Sequence, residues 1–406
     1  MKDRHAEAKS RPVEILLRRG VKIPCPEAVE IGQEVNPGRI AAGVTIHTGS
    51  KIYGAETSIG PNCIIGSQAP ATVENCRLGR GVKLGGGYFA GAVFLDNANI
   101  GSSAHVREGT ILEEQTSGAH GVGLKHTILL PFVTLGSLIN FCDILMAGGT
   151  SRQNHSEVGS SYIHFNYTPH QDKATASLLG DVPRGVLLDQ APIFLGGQGG
   201  LVGPSCLAYG TVIPAGVIFR KDIREPGHIH FPPPHKGMSA PFRPGVYKSI
   251  QRIIRNNLVY IGNIRALETW YRFVRPLFGR DGFDRACLEG AQANLGLAST
   301  ERIKRLGQLA DRMAFSLREL EKMHHSLPGY GIEQQKFSEN WANIKSKLEQ
   351  EPQTGNCPEL SAELESSPKG NYIETIQSLS QRARDAAFAW LQAIVDQTVE
   401  SASGLF

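Results

Sequence analysis

The segment Ile40-Ala-Ala-Gly-Val-Thr-Ile46-His-Thr-Gly-Ser-Lys-Ile52 carries an aliphatic residue at every sixth position. The same interval runs from Ile100 through Val106 to Leu112, and again through Leu195, Leu201, Leu207 and Ile213. An amphipathic helix needs apolar residues three and four apart, and a half-buried strand needs them two apart. Here Gly, Asn, Pro or a small residue breaks almost every block, which is turn chemistry at short, regular intervals. A hexapeptide period of this kind describes a solenoid. Each block forms one side of a coil, and its aliphatic residue points inward onto equivalents in neighbouring coils. The expected fold is therefore mainly a β solenoid, and function has to be sought where the period fails.

Coils are expected over 31–223, behind an N-terminal cap over 1–30 in which residues 13–19 read as a short helix. A solenoid needs such a cap because its first coil otherwise exposes both an apolar face and strand edges. A connector rich in Pro and His follows over 224–245. Past Pro244 the composition shifts to Gln, Arg, Glu, Leu and Ala, which is helix-forming chemistry. The region 246–406 reads as an α-helical C-terminal domain, with helices over 246–275, 281–294, 300–325, 332–348 and 372–401 and a flexible loop over 349–370. Arg252, Arg255, Arg265, Arg272 and Arg275 read as a solvated basic face on the first of these helices.

The 406-residue chain has a net charge of +4. No long Lys/Arg tract concentrates that charge, which disfavours a nucleic-acid partner and suits a small anionic ligand. Seven scattered cysteines without a CxxC pair read as reduced thiols. Neither a signal segment nor an apolar run of about 18 residues is visible. The expectation is a cytoplasmic protein without a membrane partner.

Between Asn140 and Asp189 the period weakens and polar chemistry concentrates. A repeat that abandons its packing code generally does so for a ligand. Arg152, Asn154, His155 and Glu157 crowd one aperiodic stretch, and imidazole beside a carboxylate suits a general base. The same cluster also reads as a hydrogen-bond network closing an insertion. His164 stands two residues before Asn166, so strand alternation puts both on one side of the wall. A lone histidine in a coil equally reads as a stacking residue. The run from Gly196 to Gly200 lacks the ending of a phosphate loop. Gly196 and Gly197 read as tight corners whose backbone N–H groups are placed to polarise a thioester carbonyl. His228, His230 and His235 have ligand-like spacing without Cys or carboxylate companions, and no metal site is expected.

In chain order, Asn166-Tyr167, Lys173, Gly180-Asp181, Phe194-Leu195-Gly196, Leu201-Val202-Gly203-Pro204, Ile213-Pro214-Ala215-Gly216 and Lys221-Asp222 resemble the acetyltransferase half of the bifunctional glucosamine-1-phosphate acetyltransferase / N-acetylglucosamine-1-phosphate uridyltransferase family. The resemblance implies a left-handed parallel β-helix and a homotrimer with ligand sites between coils of adjacent subunits. It implies acyl transfer, acetyl first, from acetyl-CoA or another acyl-CoA as co-substrate, with no tightly bound cofactor. The implied acceptor is a phosphosugar or nucleotide sugar of UDP-N-acetylglucosamine metabolism. Nothing resembles the Gly-rich nucleotide loop of the uridyltransferase half.

By similarity Asn166 and Tyr167 lie at the acetyl-CoA and sugar site, Lys173 contacts the sugar phosphate, and Ala215 lines the coenzyme channel. Lys173 stands one residue further from the Asn-Tyr pair than the family pattern has it. The family's general base, a histidine about one coil before that pair, falls at Asn140-Phe141, where there is no imidazole. His155, His164 and His170 are the candidates to replace it. The competing reading is a sugar-nucleotide-binding scaffold or sensor without catalysis. Metal-dependent hydration, a third reading, lacks a convincing set of histidines.

Overall fold

The computed structural model describes residues 12–231, 239, 241–324, 326–353, 355–366 and 371–402. The start of the expected cap, Pro232 to Pro234, His235 and His325 lie outside the described residues.

Short parallel strands stack into three ladders that every coil visits in turn. Face one has the inward rungs Ile31, Ile52, Val73, Phe89, Val106, Leu124 and Phe141. Face two has Ile59, Leu78, Phe94, Leu112, Leu129, Met146, Leu179 and Leu207. Face three has Ile46, Ile65, Leu84, Ile100, Gly118, Leu135, Val158, Leu195 and Ile213. The apolar rungs are buried, and each large one stabilises the coil by about 1.5–3 kcal/mol on leaving water. The six-residue period is the inward position of these three faces. Pairing begins inside the segment read as cap, at the bridge between Lys22 and Thr45, where Val21 and Ile23 are already buried.

The outward residues distinguish the faces. Face three turns Lys83, Asn99, Ser117 and Thr134 outward. Face two turns out Val93, Ile111, Ile128 and Leu145, all of them buried. A parallel sheet that is apolar on both sides requires a cover, and the C-terminal helices supply it.

Residues 12–18 form α1 and α2 (Val182–Gly185) sits in an insertion of the solenoid. The helical region comprises α3 (Gln251–Phe273), α4 (Gly282–His324), α5 (Gly329–Glu349), α6 (Pro358–Ser366), α7 (Tyr372–Gln377) and α8 (Gln381–Ala402). Helices α3 and α4 pack on face two. Contact is so close that a β-carbon on Gly290 would lie 3.0 Å from Val93 Cγ2. Asn294 Nδ2 fastens α4 further, donating to the carbonyls of Gly91 and Thr110 at 3.0 Å each.

The helical region departs from the sequence expectation in four places. Residues 246–250 precede α3 and are not part of it. Helix α4 runs unbroken through 295–299, because Leu295 and Ala298 are buried and their packing carries the helix past Gly296. The segment 349–370 is not all loop, since it contains α6. The last helix is two: Ser380 Oγ accepts from Ala383 N–H at 3.3 Å, an N-cap bond, while Ser380 N–H donates to Glu363 at 2.6 Å. Nor is the basic face of α3 solvated throughout. Arg265 is buried and donates to the carbonyl of Gln350 at 2.9 Å, and Arg275, just beyond the helix, is buried too. Among the described residues no helix is long and apolar enough to cross a membrane.

Candidate functional site

Regular coils place the next rung about one short turn of chain away, but the rung after Met146 is Leu179 and the rung after Val158 is Leu195. The surplus chain emerges at corners. Which corner each candidate residue occupies decides what it can reach.

At the corner from face one to face two, Asp143 turns the strand Ile139–Met146 with φ of 60°. In the next coil Ile139 pairs with Tyr162 and Asn140 with Ile163, a register that carries Asn166 over Asp143. Asn166 Nδ2 donates to Asp143 Oδ2 at 3.1 Å, which leaves Asn166 Oδ1 as the acceptor. Arg302 of α4 donates to Asp143 Oδ1 at 2.6 Å and is itself 1% exposed. One coil before Asn166 there is thus a carboxylate held by a guanidinium. Phe141, the residue at the place implied for the family's base, is fully buried in the coil.

His164 continues the same register above Phe141 and pairs with Leu201 of the following coil. It is an inward rung. Its Nδ1 lies 2.6 Å from the Cys142 carbonyl and its Nε2 2.7 Å from Ser177 Oγ. Burial pushes its pKa down to about 4. With both nitrogens engaged inside the coil, His164 is placed as a neutral structural imidazole and has no face toward a substrate.

Beyond Asn166 the chain leaves the coil and returns at the strand Ser177–Leu179, and the helical region holds this excursion. Arg302 Nη1 donates to Lys173 O at 3.3 Å, and Arg312 donates to the carbonyls of His170 and Gln171 at 2.9 and 2.7 Å. Asn257 Nδ2 donates to Ala174 O at 2.9 Å, and Tyr247 OH to Asp172 Oδ2 at 2.9 Å. His170 Nδ1 accepts from Gly245 N–H at 3.1 Å, so its neutral ring carries the proton on Nε2. Burial lowers the His170 pKa. Outside these anchors Tyr167 and Lys173 line a cleft of about 430 Å³ with Arg305, Gln308, Asp311 and Arg312 of α4. Lys173 Nζ sits 5.9 Å from the Tyr167 ring centroid, within cation–π reach. Lys173, Arg305 and Arg312 face Asp311 there, and Glu301 pairs with Arg305 at 2.6 Å, which leaves a surplus of one positive charge, a field that favours an anion.

Arg152, Asn154 and His155 occupy the corner from face two to face three, on an antiparallel hairpin that pairs Gly149 with His155. Arg152 Nη1 donates to Gln115 O, Phe132 O and Thr134 Oγ1 at 2.9, 3.0 and 2.9 Å. Its guanidinium therefore fastens the hairpin to earlier coils. Asn154 Nδ2 donates to Thr150 Oγ1 at 2.9 Å. His155 Nδ1 lies 2.8 Å from the Arg152 carbonyl, which fixes the proton on Nδ1. Its Nε2 lies 3.6 Å from Glu157 Oε2.

Gly196, Gly197 and Ala215 lie at the third corner, from face three to face one. Gly196 N–H donates to Ile213 O at 2.7 Å, so the coil itself takes that donor. A β-carbon on Gly196 would fall 2.1 Å from the Ala215 backbone nitrogen, which makes these glycines a requirement of coil stacking. Within one chain the structure gathers Asn166, Tyr167 and Lys173 and leaves the hairpin and glycine groups at other corners. Asp143, Arg302, Arg305, Arg312 and Tyr247 join the first group unannounced by the sequence. Among the described residues no three His, Cys, Asp or Glu side chains stand together to hold a metal ion.

No family model matches the chain. It is 27% identical over 218 residues to the bifunctional protein GlmU of Thermotoga petrophila, covering 53% of this chain and 43% of that protein. The bifunctional protein GlmU of Acinetobacter baumannii is 26% identical over 223 residues, covering 54% and 43%. The match thus spans less than half the length of these curated relatives. The solved structure of the polysialic acid O-acetyltransferase OatWY aligns over 52% of this chain and 82% of its own at 13% identity. Its TM-score of 0.16 is too low to carry an argument. The chain is a hexapeptide-repeat β solenoid, similar to these GlmU proteins over about half its length, with a helical region behind the solenoid.

Proposed function

We propose that the protein is a CoA-dependent acyltransferase that acts as a cytoplasmic homotrimer on a phosphosugar or nucleotide sugar of UDP-N-acetylglucosamine metabolism. The observation that carries this reading is the cationic cleft beside Asn166, in which Lys173 and Tyr167 meet Arg305 and Arg312. The acceptor's phosphate lies against Lys173 and Arg305, and its sugar against Tyr167. Asn166 Oδ1 accepts a hydrogen bond from the acceptor amine or from a pantetheine amide. The acceptor nitrogen or oxygen attacks the thioester carbonyl carbon, the C–S bond breaks, and CoA leaves as the thiol once a base has relayed the acceptor's proton. His155, whose Nε2 lies beside Glu157, is the base in this reading. As it stands at another corner, it serves the cleft of an adjacent copy.

An assay of thiol release from acetyl-CoA in the presence of glucosamine 1-phosphate tests the proposal. Turnover is expected, absent in Asn166→Ala and at least about hundredfold slower in His155→Gln, the usual range for losing a general base. A second reading, binding without turnover, is favoured by Phe141, which stands fully buried at the place of the family's base. UDP-N-acetylglucosamine binding with no affinity for acetyl-CoA selects it.

A further inference from the structure

A second cleft, of about 680 Å³, opens at the corner from face two to face three, where the coils around Asp96 and Glu114 meet the segment Arg275–Phe278 and the start of α4. Its size lies in the roughly 300–1,000 Å³ range of small-molecule sites. Leu277, Phe278 and Ile373 give it apolar lining. Arg275, 4% exposed, has its guanidinium carbon 3.6 Å from the Tyr372 ring centroid. It donates through Nη1 to Glu114 Oε1 at 2.5 Å and through Nη2 to Glu113 Oε2 at 2.6 Å. One guanidinium thus serves two carboxylates, and burial pushes the Glu113 carboxyl up to about 7. The remaining carboxylates lining the cleft, Asp96 and Asp284, are engaged by Arg280 at 2.6 and 2.7 Å. Two buried atoms are left without a partner: the acceptor Glu114 Oε2 and the donor Arg275 Nε–H. Each such group destabilises the fold while it is unmet.

We propose that this cleft is a second ligand site, for a small amine whose ammonium is flanked by a hydroxyl on a largely apolar body. The ammonium donates to Glu114 Oε2, and the hydroxyl oxygen accepts from Arg275 Nε–H. The site stands independently of the acyltransferase reading. Calorimetric titration of the full chain with 2-amino-1-phenylethanol and with leucinol tests it. At least one is expected to saturate, with more than tenfold weaker binding in Glu114→Gln and no saturation by 1-phenyl-1,2-ethanediol, which has a hydroxyl in place of the ammonium. Leu277 is 50% exposed, so Leu277→Trp fills the cleft without touching the ion pair and is expected to abolish binding even if the Glu114 variant fails to fold. Failure of both amines to saturate, equal binding of the diol, or binding unchanged in Leu277→Trp or in a folded Glu114→Gln overturns the assignment.

Discussion

Arg302, carried on a helix more than a hundred residues downstream, donates to Asp143 at a solenoid corner over 2.6 Å, and both side chains are almost fully buried. The pair joins the two halves of the molecule beneath Asn166. Removing one partner strands the other charge in the interior, which costs about 3–5 kcal/mol, whereas replacing both by apolar residues is far milder. Arg302→Met is therefore expected to lose about that much stability in urea unfolding, and Asp143→Asn combined with Arg302→Met, which removes both charges and keeps a residue suited to φ of 60°, to recover part of it. Equal losses in the single and double variants would show that the pair does not hold the corner.

Acid should act on the protein through His164. Its folded-state pKa is pushed down to about 4 by burial, against about 6.5 in an unfolded chain. Below pH 6.5 the unfolded state binds the proton and the folded state does not, so stability is full above that pH and is lost as pH falls toward 4. The His164 contribution is a loss of about 3 kcal/mol, at about 1.4 kcal/mol per pH unit; Glu113, raised to about 7 by burial, contributes with the opposite sign over the same range, so the loss is read as the difference between the parent chain and His164→Gln. Urea midpoints from pH 7 to 4 check it, with His164→Gln expected to flatten that part of the dependence.

Two glycines of α4 separate packing from propensity. Gly290 lies against Val93 and Arg77, whereas a β-carbon on Gly296 meets nothing within 4 Å. Gly290→Val is expected to destabilise by about 1–3 kcal/mol through overpacking. Gly296→Ala is expected to stabilise by about 0.5–1 kcal/mol through helix propensity. Thermal unfolding of the two variants checks both signs.

The coil was legible because Ile40, Ile46 and Ile52 each fall on an inward rung and nothing competes for that position. The covered face was also written in the sequence, as apolar pairs such as Val93-Phe94, Ile111-Leu112, Ile128-Leu129 and Leu145-Met146, where face three in the same coils reads Lys83-Leu84, Asn99-Ile100, Ser117-Gly118 and Thr134-Leu135. Single-face periodicity hides that signal unless the outward residue is read as well. At the candidate site, loss of period marked the Asn166–Lys173 excursion. Arg302, Arg305 and Arg312 were not legible, because an arginine on a helix carries no mark of which coil corner it will meet. Similarly, alternation placed His164 beside Asn166, but only the ladder shows that its side is the inside.

In the proposed function the helical region and the Asn166 excursion together form the phosphosugar cleft. Calorimetric titration of the full chain with glucosamine 1-phosphate, before and after saturation with acetyl-CoA, tests it most directly. Saturable binding is expected, weakened at least tenfold in Lys173→Gln and in Arg305→Gln, the latter altering only the helical wall of the cleft. Binding that is absent, or that ignores both substitutions, would contradict it.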